Sequence, residues 1–172
     1  MDVDSLVPKP YITADYASHN GMNGDNINDI YVDGGDRIWL ANYPAGVTIR
    51  NNRYQSYEWF RHSPGNSRSL VNDQVHDVIE DSEGDLWFAT SNGISLLQPA
   101  VGRWRSFLSR SDGIQDGGNH IFLTLCEVSP GVICAGGYAS GLYRIEKKTG
   151  RVEYFPPSFA AEGRPDQYIC LL

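Results

Sequence analysis

Gln74-Val-His-Asp-Val-Ile-Glu-Asp81, completed by Asp85-Leu-Trp-Phe-Ala89, restates an earlier stretch, Asn26-Ile-Asn-Asp-Ile-Tyr-Val-Asp33 with Arg37-Ile-Trp-Leu-Ala41. Asp29, Asp33, Ile38, Trp39 and Ala41 map onto Asp77, Asp81, Leu86, Trp87 and Ala89 at one constant offset of 48 residues. Within the first copy Ile27, Asp29, Tyr31 and Asp33 fall on one face, and Asn28, Ile30 and Val32 on the other. Period two is that of a strand, not a helix. Asp33-Gly-Gly-Asp36 and Asp81-Ser-Glu-Gly84 then supply a tight turn, because a short carboxylate accepts backbone N–H bonds and glycine tolerates a positive φ. A second strand follows over 38–41 or 86–90, and a third starts at a glycine over 46–50 or 93–97. The fourth carries aromatics, over 54–57 or 104–107.

Four short strands recurring every 48 residues match the period of a propeller blade, roughly 40 to 50 residues. A third, eroded copy runs through 121–128, the turn Ser129-Pro-Gly131, then 132–135, 141–145 and 151–155. Aligned on Leu86 and Val132, it puts Ile133 where the tryptophans stand. Residues 167–172 begin a fourth copy, and Tyr11-Ile-Thr-Ala-Asp-Tyr16 reads as the last strand of an earlier one. The expectation is an all-β chain, a β-propeller arc of about three four-stranded blades plus partial blades at both ends. Residues 1–172 then form a single partial propeller, with a leading strand at 9–17, blades at 26–59, 74–108 and 120–156, and the start of the next blade at 166–172. Propellers usually need at least four blades to close a ring. The rest of a longer chain, or a second copy in a homodimer, would supply the missing arc.

The 172 residues are 41% hydrophobic and 12% aromatic, which excludes a wholly disordered chain. A net charge of −7 gives no basic footprint for a nucleic-acid partner. No apolar run reaches the roughly 20 residues that cross a bilayer, and Met1-Asp-Val-Asp-Ser lacks the basic and apolar regions of a signal peptide. Cys126, Cys134 and Cys170 form neither an even disulfide set nor a metal signature. The hairpin drawn from the sequence sets Cys126 opposite Ile133 and Cys134 opposite Leu125, with the thiols on opposite sides of the sheet. Three reduced thiols are expected.

The stretch Asn66-Ser-Arg-Ser-Leu-Val-Asn-Asp-Gln-Val-His-Asp-Val-Ile-Glu-Asp-Ser-Glu-Gly-Asp-Leu-Trp-Phe-Ala-Thr-Ser-Asn-Gly-Ile94 resembles the two-component regulator propeller repeat. That repeat shows Ser-Leu and Asn before a Val-x-x-Ile strand, an Asp-x-x-Gly turn, Leu-Trp-Ile-Gly-Thr and Gly-Leu. Copy one fits with one extra residue after Ala41, and copy three departs at the turn Asp, the Trp and the Thr. The resemblance implies part of the periplasmic sensor region of a bacterial hybrid two-component histidine kinase. In such proteins propellers precede a small β-sandwich, a membrane helix and the kinase, and many respond to glycan breakdown products. None of those later parts lies in this chain.

Asp33 and Asp81 do not have the spacing of a calcium loop, and their recurrence argues for turn formation. Trp39 and Trp87 sit mid-strand, where packing between neighbouring sheets is expected. The four histidines are too far apart for a local metal motif, and there is no nucleophile elbow or phosphate loop. No catalytic residue, metal or cofactor is therefore expected. A ligand site would lie on loops carried by the rigid strands. On the rim that joins second to third strands and one blade to the next fall Asn42, Tyr43, His62, Asn92, His120 and Tyr138, groups suited to an oligosaccharide. The leading expectation is a non-enzymatic ligand-sensing module. The alternatives are a propeller lyase or hydrolase, favoured by two of His62, His120, Glu80 and Asp77 meeting, or a purely structural arc.

Overall fold

The computed structural model describes residues 21–109 and 119–156. The leading strand expected at 9–17 and the further blade expected at 166–172 lie outside the described residues. Three antiparallel four-stranded sheets occur among them, each in sequence order. The first comprises β1 (Ile27–Val32), β2 (Arg37–Asn42), β3 (Gly46–Asn51) and β4 (Ser56–Phe60). The second comprises β5 (Val75–Glu80), β6 (Leu86–Thr90), β7 (Gly93–Gln98) and β8 (Arg103–Phe107). The third comprises β9 (Phe122–Ser129), β10 (Val132–Gly137), β11 (Gly141–Glu146) and β12 (Val152–Phe155). The first strands β1, β5 and β9 touch one another in turn, so the sheets stand side by side as blades of an open arc. β4 begins later than the aromatic run at Tyr54. Asn51 Oδ1 accepts the amides of Arg53 and Tyr54, and Gln55 takes φ 52°, which holds the chain in a turn up to Ser56.

Each third strand opens on a glycine with positive φ: Gly46 at 83°, Gly93 at 102° and Gly141 at 88°. At Gly46 a Cβ would stand 2.3 Å from the Phe60 carbonyl oxygen, so the last strand of the blade closes on bare backbone. Each first strand carries a bulge near its start. The ladder skips one residue between Ile27 and Asp29, between Val75 and Asp77, and between Phe122 and Thr124. An extra residue of this kind bends the strand and re-aims its side chain.

The core lies between blades. Trp39, Val47, Ile49 and Ala41 of the first blade pack with Val75, Val78, Leu86 and Phe88 of the second, sealed by Leu70 from the connecting loop. Trp87, Ala89, Ile94 and Leu96 pack with Phe122, Leu125, Ile133 and Tyr143 of the third. The inter-sheet role expected of the tryptophans holds. Trp39 lies 6.1 Å from Phe60 and 6.2 Å from Phe88 between ring centroids, and Trp87 stacks on Phe107 at 5.3 Å.

The repeated aspartates do more than turn the chain. Asp33 Oδ1 takes the amides of Gly35 and Arg37, and its Oδ2 accepts Trp39 Nε1 at 2.9 Å. Asp81 does the same with Glu83, Asp85 and Trp87 Nε1, the last at 2.8 Å. Each of these two blades thereby orients its own tryptophan, satisfying the indole N–H inside the apolar layer.

The third blade corrects the sequence alignment by one residue. Cys126 pairs with Cys134, Ile133 with Glu127 and Ala135 with Leu125. The pairing drawn from the sequence is overturned by a register shift between Val132 and Ile133, which leaves Val128 unmatched. Counted from Gly93 and Gly141, the pair Ile79 with Trp87 corresponds to Cys126 with Cys134. Cys134, not Ile133, stands where the tryptophans stand, and Val128 replaces the turn aspartate.

Candidate functional site

The bulges turn Asn28, His76 and Leu123 out of their ladders at the entry ends of the inner strands. His76 Nε2 lies 2.8 Å from Ser91 Oγ, and its Nδ1 lies 3.4 Å from Asn28 Nδ2. An amide nitrogen can only donate, which assigns Nδ1 as acceptor and leaves the ring proton on Nε2, directed at Ser91 Oγ. Burial pushes the His76 pKa below its ordinary 6.5, so the imidazole is neutral at pH 7. The Tyr43 ring leans over it, centroids 5.6 Å apart, and the Tyr43 amide is fixed by the Asn26 carbonyl at 2.9 Å. Tyr43 also walls a cleft of about 410 Å³ with Asp25, Asn26, Pro44 and Arg61. This rim cluster brings together an aromatic face, an amide, a hydroxyl and a neutral imidazole within one blade junction, with Asn28 Nδ2 also donating to the Val75 carbonyl at 2.9 Å.

Just below it, two carboxyl groups clasp neighbouring inner strands. Asp29 Oδ2 accepts the Val78 amide at 3.0 Å, and Asp77 Oδ2 accepts the Leu125 amide at 2.6 Å. Burial pushes the Asp77 pKa up to about 6, reinforced by the hydrogen bond and charge of Asp29 and opposed by the Leu125 and Val78 amides. An unfolded aspartate titrates near 3.9. Between about pH 4 and pH 6 the folded chain therefore holds more protons than the unfolded one, and stability falls as pH rises through that window. Asp77→Asn keeps an acceptor for Leu125 and gives Asp29 a permanent donor. It is expected to remove that slope and to stabilise the chain by about 1–2 kcal/mol above pH 6. Urea unfolding from pH 4 to pH 8 measures both effects.

The rim residues expected from the sequence divide by environment. Asn42 is fully buried, donates to the Gly24 carbonyl at 3.1 Å and accepts Thr48 Oγ1 at 2.7 Å. His120 is buried with φ 57°, its Nδ1 2.8 Å from the Leu108 carbonyl oxygen, while its own carbonyl accepts the Gly93 amide. His62 is exposed, but Nδ1 lies 2.8 Å from the Leu70 carbonyl oxygen and its amide reaches Asp73 at 2.5 Å. It borders an outer groove of about 400 Å³ with Asn66, Ser69 and Trp104. Asn92 is half-buried, with its amide on Thr90 Oγ1 at 3.1 Å. Tyr138 is 51% exposed, its amide on the Ile121 carbonyl and its own carbonyl taking Asn119 Nδ2. Of the six, Tyr43 is the one that meets the His76 cluster. His76 and Asn28 were not expected there. The signal was present: Asn28 and His76 occupy equivalent positions at the offset of 48 residues, and the two copies differ there.

At the opposite rim Lys147 is buried and bridges Asp81 at 2.6 Å, Glu83 at 2.7 Å and Asp85 at 2.8 Å. Burial alone would lower its pKa, but hydrogen bonds to Asp81, Asp85 and Glu83 more than offset this and raise it. This acidic pocket thus carries its own cation, and it ties the third blade to the turn of the second. Among the described residues no group of three or more His, Cys, Asp or Glu side chains gathers in a metal-holding arrangement. No helix among them is long and apolar enough to cross a membrane.

Residues 69–92, which span the loop before β5, all of β5 and β6 and the start of the next turn, match the family model described as two component regulator propeller. No relative among curated proteins matches the chain. Among solved structures, the chain is similar to the extracellular domain of a hybrid two component system from B. thetaiotaomicron, at 23% identity and a TM-score of 0.72, covering 84% of this chain and 20% of that one. A second such domain from the same organism is matched at 21% identity and a TM-score of 0.63, over 83% of this chain and 18% of that one. PorZ, a surface component of the type-IX secretion system of Porphyromonas gingivalis, is matched at 12% identity and a TM-score of 0.59, over 81% of this chain and 22% of that one. The chain spans about a fifth of the length of these structures. The resemblance read from the sequence holds over residues 69–92, which match the two component regulator propeller model within an open arc of three four-stranded sheets.

Proposed function

We propose that the chain is a non-enzymatic ligand-binding part of the extracytoplasmic sensor of a hybrid two-component system, responding to a glycan-derived signal at the rim where Tyr43, His76, Ser91 and Asn28 converge. The observation that carries this reading is that cluster. A polyhydroxy ligand needs an apolar ring face and neutral polar groups held on a rigid frame, and the cluster gathers these at strand ends and in the loops that adjoin them. The similarity to extracellular domains of hybrid two component systems supports placement outside the cytoplasm, and the reading places the chain in the periplasm. Further blades, from the rest of its own propeller or from a second copy, cover the end faces, where Ile30 and Val32 are 59% and 54% exposed.

Binding rather than turnover is favoured by how the acid and base candidates are engaged. His62 bonds to Leu70, His120 to Leu108, Glu80 to Tyr31 and Asp77 to Leu125, rather than to one another. The test incubates the purified chain with an array of neutral and acidic oligosaccharides and follows both retention and product release. Retention without new reducing ends is the expected result. Product release, or retention of none of the array, overturns the reading.

A further inference from the structure

The first hairpins of blades one and two are each tied by an aspartate that holds the indole of the second strand, Asp33 with Trp39 and Asp81 with Trp87. Blade three has neither member. Its register places Val128 and Cys134 at those positions, and Cys126 directly opposite Cys134 where Tyr31 faces Trp39 and Ile79 faces Trp87. Both cysteines are half-buried. Opposed residues of an antiparallel pair share one face, with Cα atoms roughly 4.5–5.5 Å apart. A disulfide spans Cα separations of roughly 4.4–6.8 Å, a range that includes those of directly opposed residues.

We propose that Cys126 and Cys134 form a cross-strand disulfide, a covalent tie that takes the place of the missing Asp–Trp hydrogen bond in the third blade. The oxidant is a disulfide of the thiol–disulfide exchange class, represented in vitro by glutathione disulfide. One cysteine thiolate attacks a glutathione sulfur, forming a mixed disulfide and releasing one glutathione thiolate. The second cysteine thiolate then attacks the protein sulfur of that mixed disulfide and releases the other glutathione. Two protein thiols become one S–S bond, and their two electrons and two protons pass to two glutathione molecules. The proposal rests on the extracytoplasmic reading only for its oxidant in the cell, where disulfides persist outside the cytoplasm. Supplying glutathione in vitro separates failure of the pairing from failure of that placement.

The experiment equilibrates the folded 172-residue chain in a buffer of oxidised and reduced glutathione, blocks remaining thiols with iodoacetamide and digests it without reductant. Cleavage after Glu127 separates the two cysteines in sequence, so a disulfide keeps two peptides together. The expected result is a linked Cys126–Cys134 peptide pair, loss of two of the three alkylatable thiols, and alkylated Cys170. A rise of a few degrees in the thermal midpoint on oxidation is expected for the native chain and absent in Cys126→Ser. Alkylation of all three cysteines, glutathione left on either member of the pair, or a link from either to Cys170 overturns the proposal.

Discussion

Lys147→Met is expected to destabilise the chain by about 3–5 kcal/mol at pH 7, read as a shift in the urea midpoint without a change in slope. Lys147 is the cation that three carboxylates of the second blade share across the blade junction. The side chain of Asp81 is 0% exposed and that of Asp85 is 10% exposed, so neither can recover its hydration when the ammonium is removed. Glu83, at 65%, turns to water and contributes little to the loss. Methionine fills the stem's volume, which isolates the electrostatic cost from that of a cavity. Burial opposes ionisation of Asp81, but Lys147, the Trp87 indole and the Asp85 and Glu83 amides outweigh it and hold its pKa below the ordinary 3.8. That contribution is present above the unfolded value and is lost as pH falls through the folded one. The gap between native chain and variant should therefore narrow below about pH 4, where the orphaned carboxylates take up protons.

Trp87→Ala is expected to cost about 3–5 kcal/mol, because the indole is wholly buried and its removal leaves a cavity between blades two and three. Two further losses sit within that figure. The stack on Phe107 disappears, and Asp81 loses a buried donor. Trp87→Phe keeps an aromatic ring on Phe107 but not the hydrogen bond, and should cost about 1–3 kcal/mol, which separates packing from polar satisfaction. A cost below about 1 kcal/mol for the alanine variant would show that the layer between these blades does not hold the arc together. Thermal and urea unfolding of the two variants measure both values.

The blades were legible because each structural need recurs in the residues that meet it. Asp33 and Asp81 turn the chain, Trp39 and Trp87 fill the inter-blade layers, and Gly46, Gly93 and Gly141 adopt the positive φ that begins each third strand. The third blade was misaligned by one residue because Val128 and Cys134 carry no trace of the aspartate and tryptophan they replace. A bulge then shifts the pairing by one residue. The rim was legible in part. Tyr43 stood out as a loop aromatic. Asn42 and His120 looked like open loop groups, since Thr48 and Leu108, which engage them, lie six and twelve residues away. His76 looked like an ordinary strand residue, and only the bulge at the start of β5 turns it to the rim.

Whether function resides at that rim is decided by comparing two single variants for retention on the same oligosaccharide array. Tyr43→Ala removes the ring over His76, whereas Asn66→Ala alters the separate outer groove near Trp104. Loss of about tenfold in affinity for Tyr43→Ala, with Asn66→Ala unchanged, is the predicted result. Equal retention by Tyr43→Ala and the native chain, or a loss confined to Asn66→Ala, would contradict it.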